Sequence, residues 1–247
     1  MRAFASRGEE NPDGWGVAWY PDRAPAAAIV KQPIKWGESK FAKFMEADAA
    51  IRSSLFIAHV RHKTTGGAIA SYADTHPFSR HLDGREYCFA HNGTLETALW
   101  DRPVGRHQPI GETDSERAFC HMLHALESRG GLLNNPDAWQ WLHAQLSGLN
   151  RLGKLNALLA DGDRLFVYHD VNGWKGLTFR KITIDDQHAR HIGDDVVNVE
   201  LTSPATDPGY AIATCPLDES EWQTFHTGEL IVFEAGIMKF SSHRTFA

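Results

Sequence analysis

Four clusters in this sequence hold residue types that could do chemistry. Arg7-Gly8-Glu9-Glu10-Asn11-Pro12-Asp13-Gly14-Trp15-Gly16 is a polar loop entering an apolar strand, with Gly14 and Gly16 permitting close backbone approach. His59-Val60-Arg61-His62-Lys63-Thr64-Thr65-Gly66 follows the apolar stretch Leu55–Ala58. It puts Arg61 at a strand end, where a guanidinium can clamp a carboxylate through two parallel hydrogen bonds. Ala90-His91-Asn92-Gly93-Thr94 offers a side-chain amide beside a glycine N–H, the two donors of an oxyanion hole. Gly111-Glu112-Thr113-Asp114-Ser115-Glu116 opens a helix with a carboxylate, Asp114, that could hold an ammonium group. Each cluster also has a plainer reading. In order these are a turn, a surface ion pair, a hairpin turn at Asn-Gly and a helix cap.

The elements that must position these clusters are mostly short strands. β-Branched and aromatic runs bounded by Gly, Pro and Asp predict strands at Trp15–Tyr20, Ala27–Lys31, Leu55–His62, Tyr87–Ala90 and Ala157–Ala160. Further strands are predicted at Leu165–His169, Leu177–Ile184, Val196–Leu201, Ala211–Cys215 and Leu230–Glu234. Helical spacing of Ala118, Met122, Ala125 and Leu126 predicts a helix over Glu112–Glu127. Thr113 or Asp114 is its N-cap, and Glu116 stands in the capping-box position for Thr113. Asn134-Asn135-Pro136 predicts a second helix over Asp137–Leu149, and a shorter one is expected at Ser39–Ala47. Many strands with two sizeable helices imply sheets packed face to face and covered by helices.

The 247 residues carry 25 Lys and Arg against 31 Asp and Glu, a net charge of −6. No basic surplus exists to neutralise phosphates, so neither nucleic acid nor an anionic membrane is an expected partner. The apolar share of 42% excludes a disordered chain. The longest apolar runs fall far short of the roughly 20 residues of a membrane helix. Cys88, Cys120 and Cys215 form no disulfide pattern, which fits a reducing, cytoplasmic setting. Fourteen histidines include the pairs His59/His62 and His121/His124. Without His-Glu-x-x-His or Cys-x-x-Cys, neither a metal nor another cofactor is expected.

In chain order, the motifs Arg7–Gly16, His59–Gly66, Thr75-His76-Pro77-Phe78, His91-Asn92-Gly93 and Thr113–Glu116 resemble those of the class II glutamine amidotransferases. The second half is similar to stand-alone members of the family through Asn156–Gly162 and Ala213-Thr214-Cys215-Pro216-Leu217. The resemblance implies an α+β fold, the four-layer α-β-β-α sandwich of N-terminal-nucleophile hydrolases, as a single domain over residues 1–247. It implies hydrolysis of the side-chain amide of glutamine, or of a γ-glutamyl compound, through a cysteine thioester. Arg61 with Thr64 would bind the α-carboxylate, Asp114 the α-ammonium, and Asn92 and Gly93 the oxyanion, with His76 and Arg7 lining the site. Either ammonia would pass to a separate ammonia-accepting enzyme, or hydrolysis itself would be the purpose.

The family's nucleophile is an N-terminal cysteine whose own α-amine serves as base. This sequence begins Met1-Arg2, and its three cysteines are internal. The expectation is therefore that it starts after the family's first strand and lacks the nucleophile. The alternative is a non-catalytic glutamine- or γ-glutamyl-binding relative that works with a partner protein.

Overall fold

A computed structural model describes residues 13–47, 53–60, 71–182, 191–192, 199–200 and 209–244. Its strands are β1 (Trp15–Trp19), β2 (Ala28–Gln32), β3 (Phe56–Val60), β4 (Phe78–Leu82), β5 (Arg85–Leu95), β6 (Gly153–Ala160) and β7 (Arg164–Tyr168). They continue with β8 (Thr178–Ile182), β9 (His191–Ile192), β10 (Val199–Glu200), β11 (Gly209–Ala213), β12 (Gln223–Thr224), β13 (Leu230–Glu234) and β14 (Ile237–Ser241). The α-helices are α1 (Lys40–Ala47), α2 (Asp114–Arg129) and α3 (Pro136–Asn150).

The central layer is an antiparallel six-stranded sheet in the order β14-β13-β7-β6-β5-β4. Side chains alternate between its faces, as the pleat requires. Tyr87, Phe89, Leu155, Ala157, Leu159, Phe166, Tyr168, Leu230 and Val232 point to one face, where Phe119, Met122 and Leu123 of α2 and Leu142 and Leu146 of α3 cover them. Phe89 stacks on Phe119 with centroids 5.3 Å apart. The opposite face meets a second layer of two small sheets. Cys88, Ala90 and Ala160 pack on Ala18 and Ile57 of the β2-β1-β3 sheet and on Tyr20 just after β1. Val167, Ile231 and Phe233 pack on Phe179 and Phe225, around the β11-β8-β12 sheet. The outer face of the first small sheet buries Trp15 and Val17 under Trp36 and under Ala42 and Met45 of α1. Helix, sheet, sheet and helix thus stack as the four layers expected.

Local chemistry sets the helix ends. Asn135 caps α3 by accepting from the Ala138 N–H at 2.9 Å, with Pro136 at the first helical position. Thr113 caps α2 by accepting from the Glu116 N–H at 3.2 Å. The reciprocal half of the expected capping box is absent, which corrects that reading. The buried Glu116 carboxylate instead pairs with Arg80 and accepts from the Gly111 N–H at 2.7 Å. A cation on β4 and an open turn compete better for it than the cap N–H does. Among the described residues, no helix is long and apolar enough to cross a membrane.

Candidate functional site

The site is organised by the second half of β5. Asn-Gly does not form a hairpin turn here. His91-Asn92-Gly93 lies inside an eleven-residue strand, with Asn92 opposite Asn156 and Gly93 opposite Leu155 of β6. On its other side, β5 pairs with β4 only as far as Phe89. Residues beyond that point therefore have one edge paired and one edge that β4 leaves open.

Two hydrogen bonds show which backbone groups face which edge. The Glu96 N–H donates to the Leu152 carbonyl at 2.7 Å, on the β6 side. The Leu95 N–H donates to Asp114 Oδ2 at 2.6 Å, on the open side. Backbone groups alternate along a strand, and the register with β6 is unbroken from Cys88 to Leu95. The Gly93 N–H therefore points the same way as that of Leu95, toward the open edge and the N-terminus of α2.

Asp114 stands at the first position of α2. Its Oδ1 accepts from the Ser115 N–H at 2.9 Å, so strand and helix both fix the carboxylate at this edge. A carboxylate has about four acceptor sites, so capacity for a further donor remains. Behind it lies His91, buried on the helix-facing side. Its Nε2 bonds the Lys154 carbonyl at 3.0 Å and its Nδ1 meets Ser115 Oγ at 2.9 Å. A carbonyl can only accept, so the proton sits on Nε2 and Nδ1 accepts from the serine. Burial lowers the His91 pKa below its usual value, outweighing the opposing pull of Asp114, and keeps the ring neutral.

Glycine at 93 has a steric reason. A Cβ there would collide with the Lys154 carbonyl oxygen and with His91 Nε2. Both belong to the bond that seats the histidine. Gly93→Ala is expected to lower the unfolding free energy by about 1–3 kcal/mol, because strand β6 must shift to admit the methyl. Chemical denaturation measures this, and an unchanged midpoint would show that the ladder has slack the packing does not suggest.

Asn92 extends from the face that Cys88 and Ala90 present to the second layer. Its Oδ1 accepts from Trp174 Nε1 at 3.2 Å. Trp174 sits in the turn between β7 and β8, whose two ends Asn156 and Asp170 tie together. Neither Trp174 nor Asp170 stood out in the sequence. A tryptophan between Gly173 and Gly176 in a polar turn was the available signal.

His76 is buried before β4, with its ring 4.2 Å from that of His59 and 4.6 Å from that of Phe78. It thus lies against the end of β3, and the structure records no bond from it to Asn92, Gly93 or Asp114. Arg7, Arg61 and Thr64 lie outside the described residues, as does most of the Arg7–Gly16 cluster. Among the described residues, the structure therefore brings Asp114 to the edge of β5 near Gly93, with Asn92 the preceding residue of that strand. No group of three His, Cys, Asp or Glu among the described residues is placed to hold a metal. Burial pushes the Cys88 thiol up to about 12 and the Cys120 thiol up to about 11. Neither supplies thiolate near neutral pH.

The four-layer sandwich matches the fold of the N-terminal-nucleophile amidotransferases. The chain belongs to the class-II glutamine amidotransferases, whose family description matches residues 1–246. It is 37% identical to an uncharacterized protein of Methanocaldococcus jannaschii over 99% of this chain and 67% of that one. It is 28% identical to the γ-glutamyl-hercynylcysteine sulfoxide hydrolase of Mycobacterium tuberculosis, over 67% of this chain and 64% of that one. Among solved structures, a predicted glutamine amidotransferase from Pseudomonas aeruginosa PA01 superposes with a TM-score of 0.70. That match covers 92% of this chain and 87% of the other, at 27% identity.

Proposed function

We propose that this protein hydrolyses the side-chain amide of glutamine or of a γ-glutamyl compound, as a single domain over residues 1–247. The observation that carries the reading is the shared open edge of β5. There the Gly93 N–H and the Asp114 carboxylate face the same space, and Asn92 is the residue before Gly93 in the strand. Asp114 takes the α-ammonium and Arg61 with Thr64 takes the α-carboxylate, so both charges of the amino-acid head group are read. His76 and Arg7 line the site. The δ-carbonyl then lies over Asn92 and Gly93.

The family's N-terminal cysteine, which residues 1–247 do not include, would pass its thiol proton to its own α-amine and attack that carbonyl, and the C–O π electrons would move to the oxygen held by Asn92 Nδ2 and the Gly93 N–H. Collapse of this intermediate expels the amine, which takes up a proton, and leaves a thioester. Water then cleaves the thioester to glutamate and free thiol. Hydrolysis by the Mycobacterium tuberculosis relative, whose name specifies a γ-glutamyl substrate, supports extending the substrate class beyond glutamine. Ammonia released from glutamine either passes to a separate enzyme, or hydrolysis is itself the purpose.

The test is to purify the protein from its own cells, read its N-terminal residue and intact mass, and assay glutamate release from glutamine and γ-glutamyl amides. An N-terminal cysteine together with glutamate release is expected. A protein that starts at Met1 and releases none would instead be a non-catalytic glutamyl-binding relative. The head-group assignment has its own check. Asp114→Asn keeps an acceptor for the Leu95 N–H but removes the charge. It is expected to weaken glutamine binding by about 2–5 kcal/mol in calorimetry. Unchanged affinity would place the ammonium elsewhere.

A further inference from the structure

An oxyanion donor on an asparagine side chain has a specific weakness. The two ends of a primary amide have nearly the same shape, and a half-turn about the last side-chain bond exchanges a donor for an acceptor. With Oδ1 turned toward the substrate, Asn92 would repel the developing negative charge that it should bind.

The structure contains a group that distinguishes the two orientations. Trp174 Nε1 lies 3.2 Å from Asn92 Oδ1. An indole N–H can donate but cannot accept. It tolerates only the carbonyl end of the amide, and a flipped Asn92 would set N–H against N–H. The Nδ2 end is thereby directed away from Trp174.

The tryptophan is itself held on both sides of its backbone. Its N–H donates to Asp170 Oδ1 at 3.3 Å and its carbonyl accepts from Asn156 Nδ2 at 2.6 Å. Asn156 Oδ1 accepts from the Asp170 N–H at 3.0 Å, closing the turn onto β6. Asn156 is also the ladder partner of Asn92. Asn92 and the residue that orients it are thus referenced to the same rung of the sheet. Lys154 Nζ stands 3.7 Å from the indole centroid and covers one ring face.

We infer that Trp174 is a positioning residue that locks the Asn92 amide with its N–H donor toward the reacting carbonyl. This rests on the oxyanion role given to Asn92 above. Trp174→Phe keeps an aromatic ring and removes the donor. In the full-length protein it is expected to lower kcat about tenfold, roughly the value of one hydrogen bond, with KM within twofold. In an Asn92→Ala background the same change is expected to do nothing further, since no amide is left to orient.

A full kcat in Trp174→Phe, or an equal loss in both backgrounds, would overturn the inference. A second measurement does not depend on how well that variant folds. With tryptophan labelled at the indole nitrogen, Asn92→Ala is expected to shift the Trp174 resonance and leave those of the other tryptophans in place. No shift would mean that the bond does not form. If the wild-type protein releases glutamate from no amide, the hydrolase reading itself fails and takes the inference with it. If wild type is active and Trp174→Phe is silent, only the inference fails.

Discussion

Asn92→Ala should lower kcat for amide hydrolysis by about 10²–10³-fold, the usual cost of one oxyanion-hole donor. The fold should survive. Asn92 is only half-buried, and its one recorded side-chain bond is the one accepted from Trp174. The Gly93 N–H belongs to the backbone and stays in place, so activity should fall without vanishing. Substrate affinity should change little, because the head-group contacts lie elsewhere and the amide donor matters most when the oxygen carries charge. Steady-state kinetics on the full-length protein measures both quantities. A loss confined to KM would mean that Asn92 binds ground-state substrate and is no oxyanion donor.

Asp170→Ala should destabilise the protein by about 2–5 kcal/mol, since each buried donor left without a partner costs about 1–3 kcal/mol. Asp170 is fully buried. Its carboxylate accepts from the Leu155 N–H at 2.8 Å, Asn150 Nδ2 at 2.7 Å, the Asn172 N–H at 2.7 Å and the Trp174 N–H at 3.3 Å. It therefore joins α3, β6 and the turn that carries Trp174. Denaturant unfolding checks the size, and a shift below about 0.5 kcal/mol, the range of ordinary surface substitutions, would rule out this hub.

The same carboxylate has a pH consequence. Burial alone would raise the Asp170 pKa, but the four donors outweigh it and hold the group below its usual range. A pKa lower in the folded than in the unfolded state gives stability that is complete above the unfolded value, about 3.9. That stability is lost as pH falls through the folded value. Asp170→Asn should accordingly flatten the acid limb of the stability curve below about pH 4. An unchanged acid limb would show that other carboxylates control it.

Parts of the site could be read directly from the order of residues. Leu230–Glu234 is a strand with the predicted bounds, and both long helices begin and end within two residues of expectation. Their amphipathic spacing and their caps at Thr113 and Asn135 are local signals, complete within one turn of chain. The strands Phe78–Leu82 and Ile237–Ser241 were not foreseen. The first has a polar middle, Ser79-Arg80-His81, and the second is interrupted by Lys239, and each gains strand structure from a neighbour, β5 and β13 respectively. The Asn-Gly pair was ambiguous for the same reason. Its local chemistry suits a hairpin turn, and only pairing with β6, whose residues lie about sixty positions later, holds it extended.

The sequence by itself determined the alternation of strands and helices, the positions of Asn92, Gly93 and Asp114, and the family resemblance. These depend on residue type and short spacing. Tertiary structure decided which edge of β5 is open, which way the Gly93 N–H points, and that Trp174 meets Asn92 across 82 positions. Such facts depend on where β4 stops and on how one turn is tied to β6. Each is a contact between distant segments, whose closure is set by packing of the whole sandwich and has no local signature.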